Sequence, residues 1–326
     1  MQPFTYDRPA SPAEAVAQLA QPQAEVLAGG TDLMQLMKEG QHAPRHLVDI
    51  TGLPWRGVTV TPDGIQIGAL THMAEAAEDP SLRKGWPMVA EALLASASPQ
   101  IRNQATMGGN VLQRTRCLYF RDAAMPCNKR QPGSGCPAYD GQNRNNAILG
   151  GSDQCIATHA SDLAVALVAL DARIALVGPT GSRDLAFADF HLLPGNTPQV
   201  ETVLRPGELI ASLFIPNSAA AQRSRYVKLR DRASFEWALV SAAVGLEMDH
   251  GTIGNARVAV GGVATKPWRL PRVEAALAGA PLNQDTLRRA AALAANDAQP
   301  RPLNGFKVEL LRRVVFRALA VTGGVA

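Results

Sequence analysis

The stretch Val26-Leu27-Ala28-Gly29-Gly30-Thr31-Asp32-Leu33 constrains this chain more than any other. It reads as a short apolar strand, a paired glycine turn, and a helix from Thr31 to Lys38 that ends near Gly40. Two adjacent glycines admit backbone conformations that a Cβ forbids, and they let main-chain amides approach a ligand. Thr31 is a suitable N-cap. Free amide donors at a strand-to-helix corner suit a phosphate. A plain connector has the same composition, so this corner alone leaves both readings open.

A second glycine pair follows in Ile101-Arg102-Asn103-Gln104-Ala105-Thr106-Met107-Gly108-Gly109-Asn110-Val111. Thr106 and Asn110 offer hydrogen bonds to phosphate or polyol hydroxyls, while the glycines keep the backbone clear. A strand with a bulge is the alternative.

The 326 residues suffice for a large core and two domains or more. A net charge of +4, with scattered arginines and no interleaved aromatics, excludes a nucleic-acid surface. No apolar run approaches the roughly 20 residues of a membrane span. Met1 to Pro9 lacks the basic-then-apolar pattern of a secretory signal.

Ser11-Pro12-Ala13-Glu14 opens a helix to about Ala20. His46 to Ile50 reads as a strand closing a unit near residue 55. Asp63-Gly64 joins Val58–Val60 and Ile65–Ala69 as a hairpin. Thr71 to Glu78 and Pro87 to Ala97 read as helices. An apolar helix capped by Ser161 runs from Asp162 to Leu170, before strands Arg173–Val177 and Leu209–Ile215. Asn217 to Ser224 reads as a linker. Strands at Tyr226–Leu229, Ala238–Met248 and Ile253–Gly261, then helices at Arg272–Ala278, Asn283–Ala295 and Phe306–Thr322, complete the chain.

Residues Leu112 to Gly150 break this rhythm, with few periodic apolar positions and many Asn, Arg, Gly and Pro. An unstructured loop of that length usually has a function or an organiser of its own. All four cysteines, Cys117, Cys127, Cys136 and Cys155, lie in or just after it, spaced C-x9-C-x8-C-x18-C. Their clustering suggests one shared ligand. No C-x2-C is present, so spacing does not name it, and an iron-sulfur cluster, a structural zinc and free or paired thiols all stay open. Arg114, Arg116, Arg121, Lys129, Arg130 and Arg144 crowd the loop and suit an anionic cluster.

With both glycine pairs and this loop in place, the chain resembles the FAD-binding subunits of the molybdenum hydroxylases, the group of xanthine dehydrogenase, carbon monoxide dehydrogenase and aldehyde oxidoreductase. The likeness rests on Ala28 to Leu33, Ile67-Gly68-Ala69-Leu70-Thr71, and Ile101-Arg102-Asn103 leading into Thr106 to Asn110. It continues through Ser161-Asp162-Leu163, Gly207-Glu208-Leu209-Ile210, Tyr226-Val227-Lys228 and Gly261-Gly262-Val263-Ala264. Ordinary members pass from the Gly-Gly-Asn motif to the Ser-Asp motif by a short turn. Here about 50 residues intervene. That excursion resembles the subset, typified by bacterial periplasmic aldehyde oxidoreductases, whose flavin subunit carries an extra [4Fe-4S] cluster.

The resemblance implies an α+β fold. A two-subdomain FAD-binding domain of the p-cresol-methylhydroxylase type spans 1–222, with parts at about 1–55 and 56–222 and a cysteine-rich insertion at about 112–156. A smaller α/β domain spans 223–326. It further implies that Val26, Leu27, Ala28, Gly29, Gly30, Thr31, Asp32 and Leu33 line the FAD pyrophosphate. Thr106, Gly109 and Asn110 hold the other side of the phosphates and the ribityl chain. Asp162 bonds near the adenosine or ribityl end, Lys228 approaches the isoalloxazine, and Leu209 or Ile210 packs against the cofactor. Cys117, Cys127, Cys136 and Cys155 ligate the cluster.

The implied role is electron transfer within a heterotrimer. A molybdopterin-binding large subunit oxidises substrate, a [2Fe-2S] small subunit passes electrons to FAD, and an external acceptor takes them. No residue of this chain is expected to touch the oxidised substrate. The implied compartment is the periplasm, by co-export with a signal-bearing partner, or the cytoplasm. A stand-alone flavin oxidase and a zinc-stabilised binding module are the rivals. His72 and His159 read as structural histidines. The cysteine loop is expected to be separable, so that Cys136→Ser loses the cluster and keeps FAD.

Overall fold

The computed structural model describes residues 1–325. Three sheets organise them. The first is parallel, with β3 (His46–Asp49) between β1 (Thr5–Asp7) and β2 (Ala24–Leu27). Every residue of β3 is buried, as a central parallel strand covered on both faces requires. Ser11 caps the helix Pro12–Gln18 by accepting the Glu14 N–H, and Ala15 and Val16 of that helix enter the small core beneath β2 and β3.

The second sheet is antiparallel and five-stranded. Its strands are β4 (Val58–Thr61), β5 (Gly64–Gly68), β6 (Arg173–Gly178), β7 (Gly181–Ala186) and β8 (Leu209–Pro216), in the order β4-β5-β8-β6-β7. The third sheet contains β9 (Ser224–Leu229), β10 (Val240–Asp249), β11 (Thr252–Gly261) and β12 (Trp268–Arg269), in the order β12-β11-β10-β9. The helices Pro271–Leu277, Gln284–Ala292 and Phe306–Gly323 share one hydrophobic core with it.

The helix Asp162–Ala169 is buried at every position. An apolar run without a polar face fits only where both sides are covered. Here the helix joins the core of the five-stranded sheet while meeting β10 and β11 of the third sheet. Ser161 caps it, accepting the Ala164 N–H at 3.0 Å.

One expectation changes. Residues 217–224 are not a loose linker but hold a short helix, Ala219–Gln222, capped by Ser218. Its small side chains allow close approach, and a Cβ at Gly245 would overlap the Ala220 carbonyl. The cysteine segment is anchored to residues far along the chain. The N–H groups of Ile148 and Leu149 both donate to Val263 O, at 2.8 and 3.0 Å. The buried Lys307 ammonium donates to Asn146 O at 3.1 Å and Gly262 O at 2.7 Å. Its later half is thus built into the third sheet and the start of the C-terminal helix.

Candidate functional site

The two glycine corners meet. A Cβ on Gly29 would overlap the carbonyl oxygen of Gln104 and lie 2.8 Å from its carbon. Only glycine permits this approach. Gly30, at φ +70°, takes the left-handed conformation that turns β2 toward the next helix. That helix spans Leu33–Lys38, with Asp32 at the N-cap position and no side-chain cap. Thr31 therefore does not cap it. The Asp32 carboxylate is drawn away instead, accepting Arg114 N–H at 2.7 Å, Arg121 Nη2 at 2.9 Å and Arg116 Nη2 at 2.8 Å.

At the second corner the backbone is helical rather than strand-like. Thr106 caps Met107–Val111 by accepting the Gly109 N–H at 3.2 Å. Asn110 is tied down: its Oδ1 accepts from Ser161 Oγ at 2.6 Å, and its Nδ2 faces Met73 Sδ at 3.3 Å.

Between the corners opens a cleft of about 640 Å³. Val26, Ala28, Gly29, Gly30, Thr31, Asp32 and Leu33 line it from one side, and Thr106, Gly109 and Asn110 from the other. Leu209, Ile210, Asp162 and Lys228 complete the expected set. Leu27 alone of the expected residues does not line it.

In the cleft wall Asp162 gathers three donors. Lys228 Nζ lies 2.8 Å from Oδ2, Ser96 Oγ 3.0 Å from Oδ2, and Tyr226 OH 2.5 Å from Oδ1. Both members of the ion pair are nearly fully buried, with side-chain exposures of 4% and 6%. Burial and the neighbouring carboxylate push the Tyr226 phenol well above its ordinary range, so it stays a proton donor.

The four thiols line a second, small cavity with Lys129, Asn146 and Gln154. No disulfide forms. Burial raises Cys136, and raises Cys155 to about 11. N–H groups point at sulfur: Asn146 Nδ2 lies 3.6 Å from Cys117 Sγ, and Ala157 N lies 3.4 Å from Cys155 Sγ. Among the described residues no three His, Cys, Asp or Glu side chains are placed to hold a single metal ion.

A family model described as the FAD-binding domain in molybdopterin dehydrogenase matches residues 2–218. The chain belongs to that family. A second model, the C-terminal domain of CO dehydrogenase flavoprotein, matches residues 225–322. The aldehyde oxidoreductase FAD-binding subunit PaoB of Escherichia coli K12 is 45% identical over 98% of this chain and 98% of that protein. The carbon monoxide dehydrogenase medium chain of Hydrogenophaga pseudoflava is 27% identical over 97% of this chain and 96% of that one. A solved CO dehydrogenase from Oligotropha carboxidovorans superposes with a TM-score of 0.78 at 27% identity, covering 100% of both chains.

In this molybdopterin-dehydrogenase flavoprotein fold, sequence reasoning missed several cleft residues. Ser96, Arg114, Arg116 and the run Phe235-Glu236-Trp237 also line the cleft. Tyr226 stands in the same Tyr-Val-Lys motif as Lys228, and its role was legible only there. None of the others carries a local signal, because each reaches the cleft through long-range packing.

His72 and His159 are structural. His72 is the N-cap of Met73–Glu78. The Nε2 of His159 lies 3.1 Å from that of buried His191, which in turn sits 2.9 Å from Val111 O. A carbonyl oxygen only accepts, so His191 Nε2 carries the proton. Burial holds both rings neutral, His159 well below its ordinary value and His191 at about 4. A histidine depressed in the folded state binds fewer protons there than in the unfolded chain. Its contribution is therefore complete above pH 6.5 and is lost as pH falls toward 4, for His191 on the order of 3 kcal/mol. His191→Phe, packed beside Phe187 and Phe190, should flatten that acid-side loss. Urea unfolding at pH 7.5 and pH 5 measures it, and equal pH dependence in both proteins contradicts it.

Proposed function

We propose that this chain is the electron-transfer flavoprotein subunit of a heterotrimeric molybdenum hydroxylase, of the aldehyde oxidoreductase kind. The observation that carries the reading is the contact of Gly29 with Gln104, which joins the two side-chain-free corners across one cleft. The division into a flavin domain, 1–222 with the cysteine segment 112–156 inside it, and a C-terminal domain, 223–326, follows the same reading. Substrate oxidation belongs to a molybdopterin-binding large subunit, and electrons arrive by way of a [2Fe-2S] small subunit. FAD, when bound, supplies a two-electron store that one-electron donors can fill.

This chain's residues bind and orient. The amides of Gly29, Gly30 and Thr31 would hold the diphosphate from one side of the cleft, with Thr106, Gly109 and Asn110 on the other. Asp162 fixes the Lys228 ammonium in the cleft wall, where it would approach the flavin, and Leu209 and Ile210 would offer the ring apolar contact. No residue is assigned to substrate oxidation. Loaded with FAD, the full chain alone should show no aldehyde-driven bleaching of the flavin. Bleaching should appear once the large and small subunits are added. Reduction by substrate in the isolated chain would support the stand-alone oxidase instead.

We further propose that Cys117, Cys127, Cys136 and Cys155 hold a [4Fe-4S] cluster. Four thiols around one cavity, with N–H donors aimed at sulfur, support it. An iron-sulfur cluster, when bound, supplies a one-electron centre. Lys129, whose Nζ is 2.8 Å from Glu201 Oε1, places a fixed cation beside the thiols. Anaerobically purified protein should contain about four irons and four acid-labile sulfides per chain. One zinc without flavin would contradict both cofactor assignments.

A further inference from the structure

Between β9 and β10 the chain leaves the third sheet and forms a strap, residues 230–239. Phe235, Glu236 and Trp237 of the strap line the flavin cleft, yet Trp237 is 42% exposed. Arg230 anchors its root, donating to Ala95 O at 3.0 Å. Two more arginines hold the rest, and both come from the cysteine segment. Arg144 grips Asp231 through both carboxylate oxygens, at 2.9 and 3.0 Å. The Arg116 guanidinium sits 4.8 Å from the centre of the Trp237 ring. Its Nη2 also reaches Asp32 Oδ1 at 2.8 Å, on the first glycine corner. Arg116 thereby ties strap to corner across the mouth of the cleft.

Arg116 is largely buried, and a desolvated guanidinium interacts more strongly with an aromatic face than a hydrated one. Both arginines lie close in sequence to residues of the thiol cavity. Arg116 directly precedes Cys117. Arg144 stands two residues before Asn146, which donates to Cys117 Sγ. The segment's own regular structure is confined to Leu118–Arg121 and the turn Pro137–Tyr139, and on the Arg144 side Asn304 and Lys307 also hold Asn146 O.

We propose that the cysteine segment is the latch of the flavin cleft, with Arg116 and Arg144 as positioning residues, so that order at the four thiols sets how fast FAD leaves. The proposal rests on the flavin and thiol-ligand readings above. It also reverses the expectation that the loop is separable.

The test is FAD dissociation from the full chain, purified with whatever subunits accompany it, followed by the fluorescence of released flavin. The double variant Arg116→Ala/Arg144→Ala should release FAD roughly tenfold faster, with iron content unchanged. Trp237→Phe, which keeps an aromatic face, should stay near wild type, and Trp237→Ala should not. Cys136→Ser should match the double variant, and combining the two should add nothing. If the arginine variant does not fold, the exposed Trp237→Ala and Trp237→Phe pair decides the matter. Wild-type protein that takes up no FAD sinks the flavin reading itself. Wild type that holds FAD, with Trp237→Ala or Cys136→Ser releasing it no faster, overturns the latch.

Discussion

Gly29→Ala is expected to leave the protein folded and nearly empty of FAD. The added Cβ would stand 2.8 Å from the Gln104 carbonyl carbon and 3.1 Å from Ala105 Cα. Both are backbone, so no side-chain rotation relieves the overlap, and the corners must move apart. Overpacking of this kind costs about 3 kcal/mol. If the cost falls on the closed cleft, FAD affinity drops on the order of a hundredfold. Gly109→Ala is the internal comparison. Its Cβ would meet only Thr106 Oγ1, at 2.9 Å, one side-chain atom rather than backbone, so its loss should be smaller. Flavin absorbance after gel filtration, with thermal unfolding of the same samples, separates binding from stability. Full FAD retention and unchanged unfolding in Gly29→Ala would contradict the joined corners.

Asp162→Ala should be among the most destabilising substitutions in the chain. It strands the Lys228 ammonium, whose other acceptor is Ala95 O at 3.0 Å, and it leaves the Tyr226 phenol without its carboxylate. Removing one partner of a buried pair costs about 3–5 kcal/mol, because the other charge stays behind. Asp162→Asn keeps shape and one acceptor oxygen and should cost less. Adding Lys228→Met to Asp162→Asn should restore part of the loss by removing the stranded charge. Urea unfolding of these proteins, with Lys228→Met alone to complete the cycle, measures the coupling. A change under about 1 kcal/mol in Asp162→Ala would show the carboxylate to be solvated.

Much of this was written locally in the sequence. The Ser161 cap, the Asp63-Gly64 hairpin and the apolar run Asp162–Ala169 each carry their own signal of chemistry or periodicity, and the structure places them accordingly. The glycine corners were legible because no other residue fits such an approach. The omissions share a cause. β7 (Gly181–Ala186, GSRDLA) is a polar edge strand that owes its conformation to pairing with β6, and β12 is two residues long. Thr31 looked like a cap because the competing demand on Asp32 comes from arginines some 80 residues away. The anchors of the cysteine segment were not legible for a related reason: Val263, Asn304 and Lys307 lie far along the chain.

Releasing and weighing the bound nucleotide tests the central claim most directly. Full-length protein, saturated with a mixture of FAD, FMN and riboflavin and passed through gel filtration, should yield one FAD per chain on acid denaturation. The two shorter flavins should be nearly absent, since neither carries a diphosphate. Colourless protein, or FMN retained as well as FAD, would contradict a cleft built around a diphosphate.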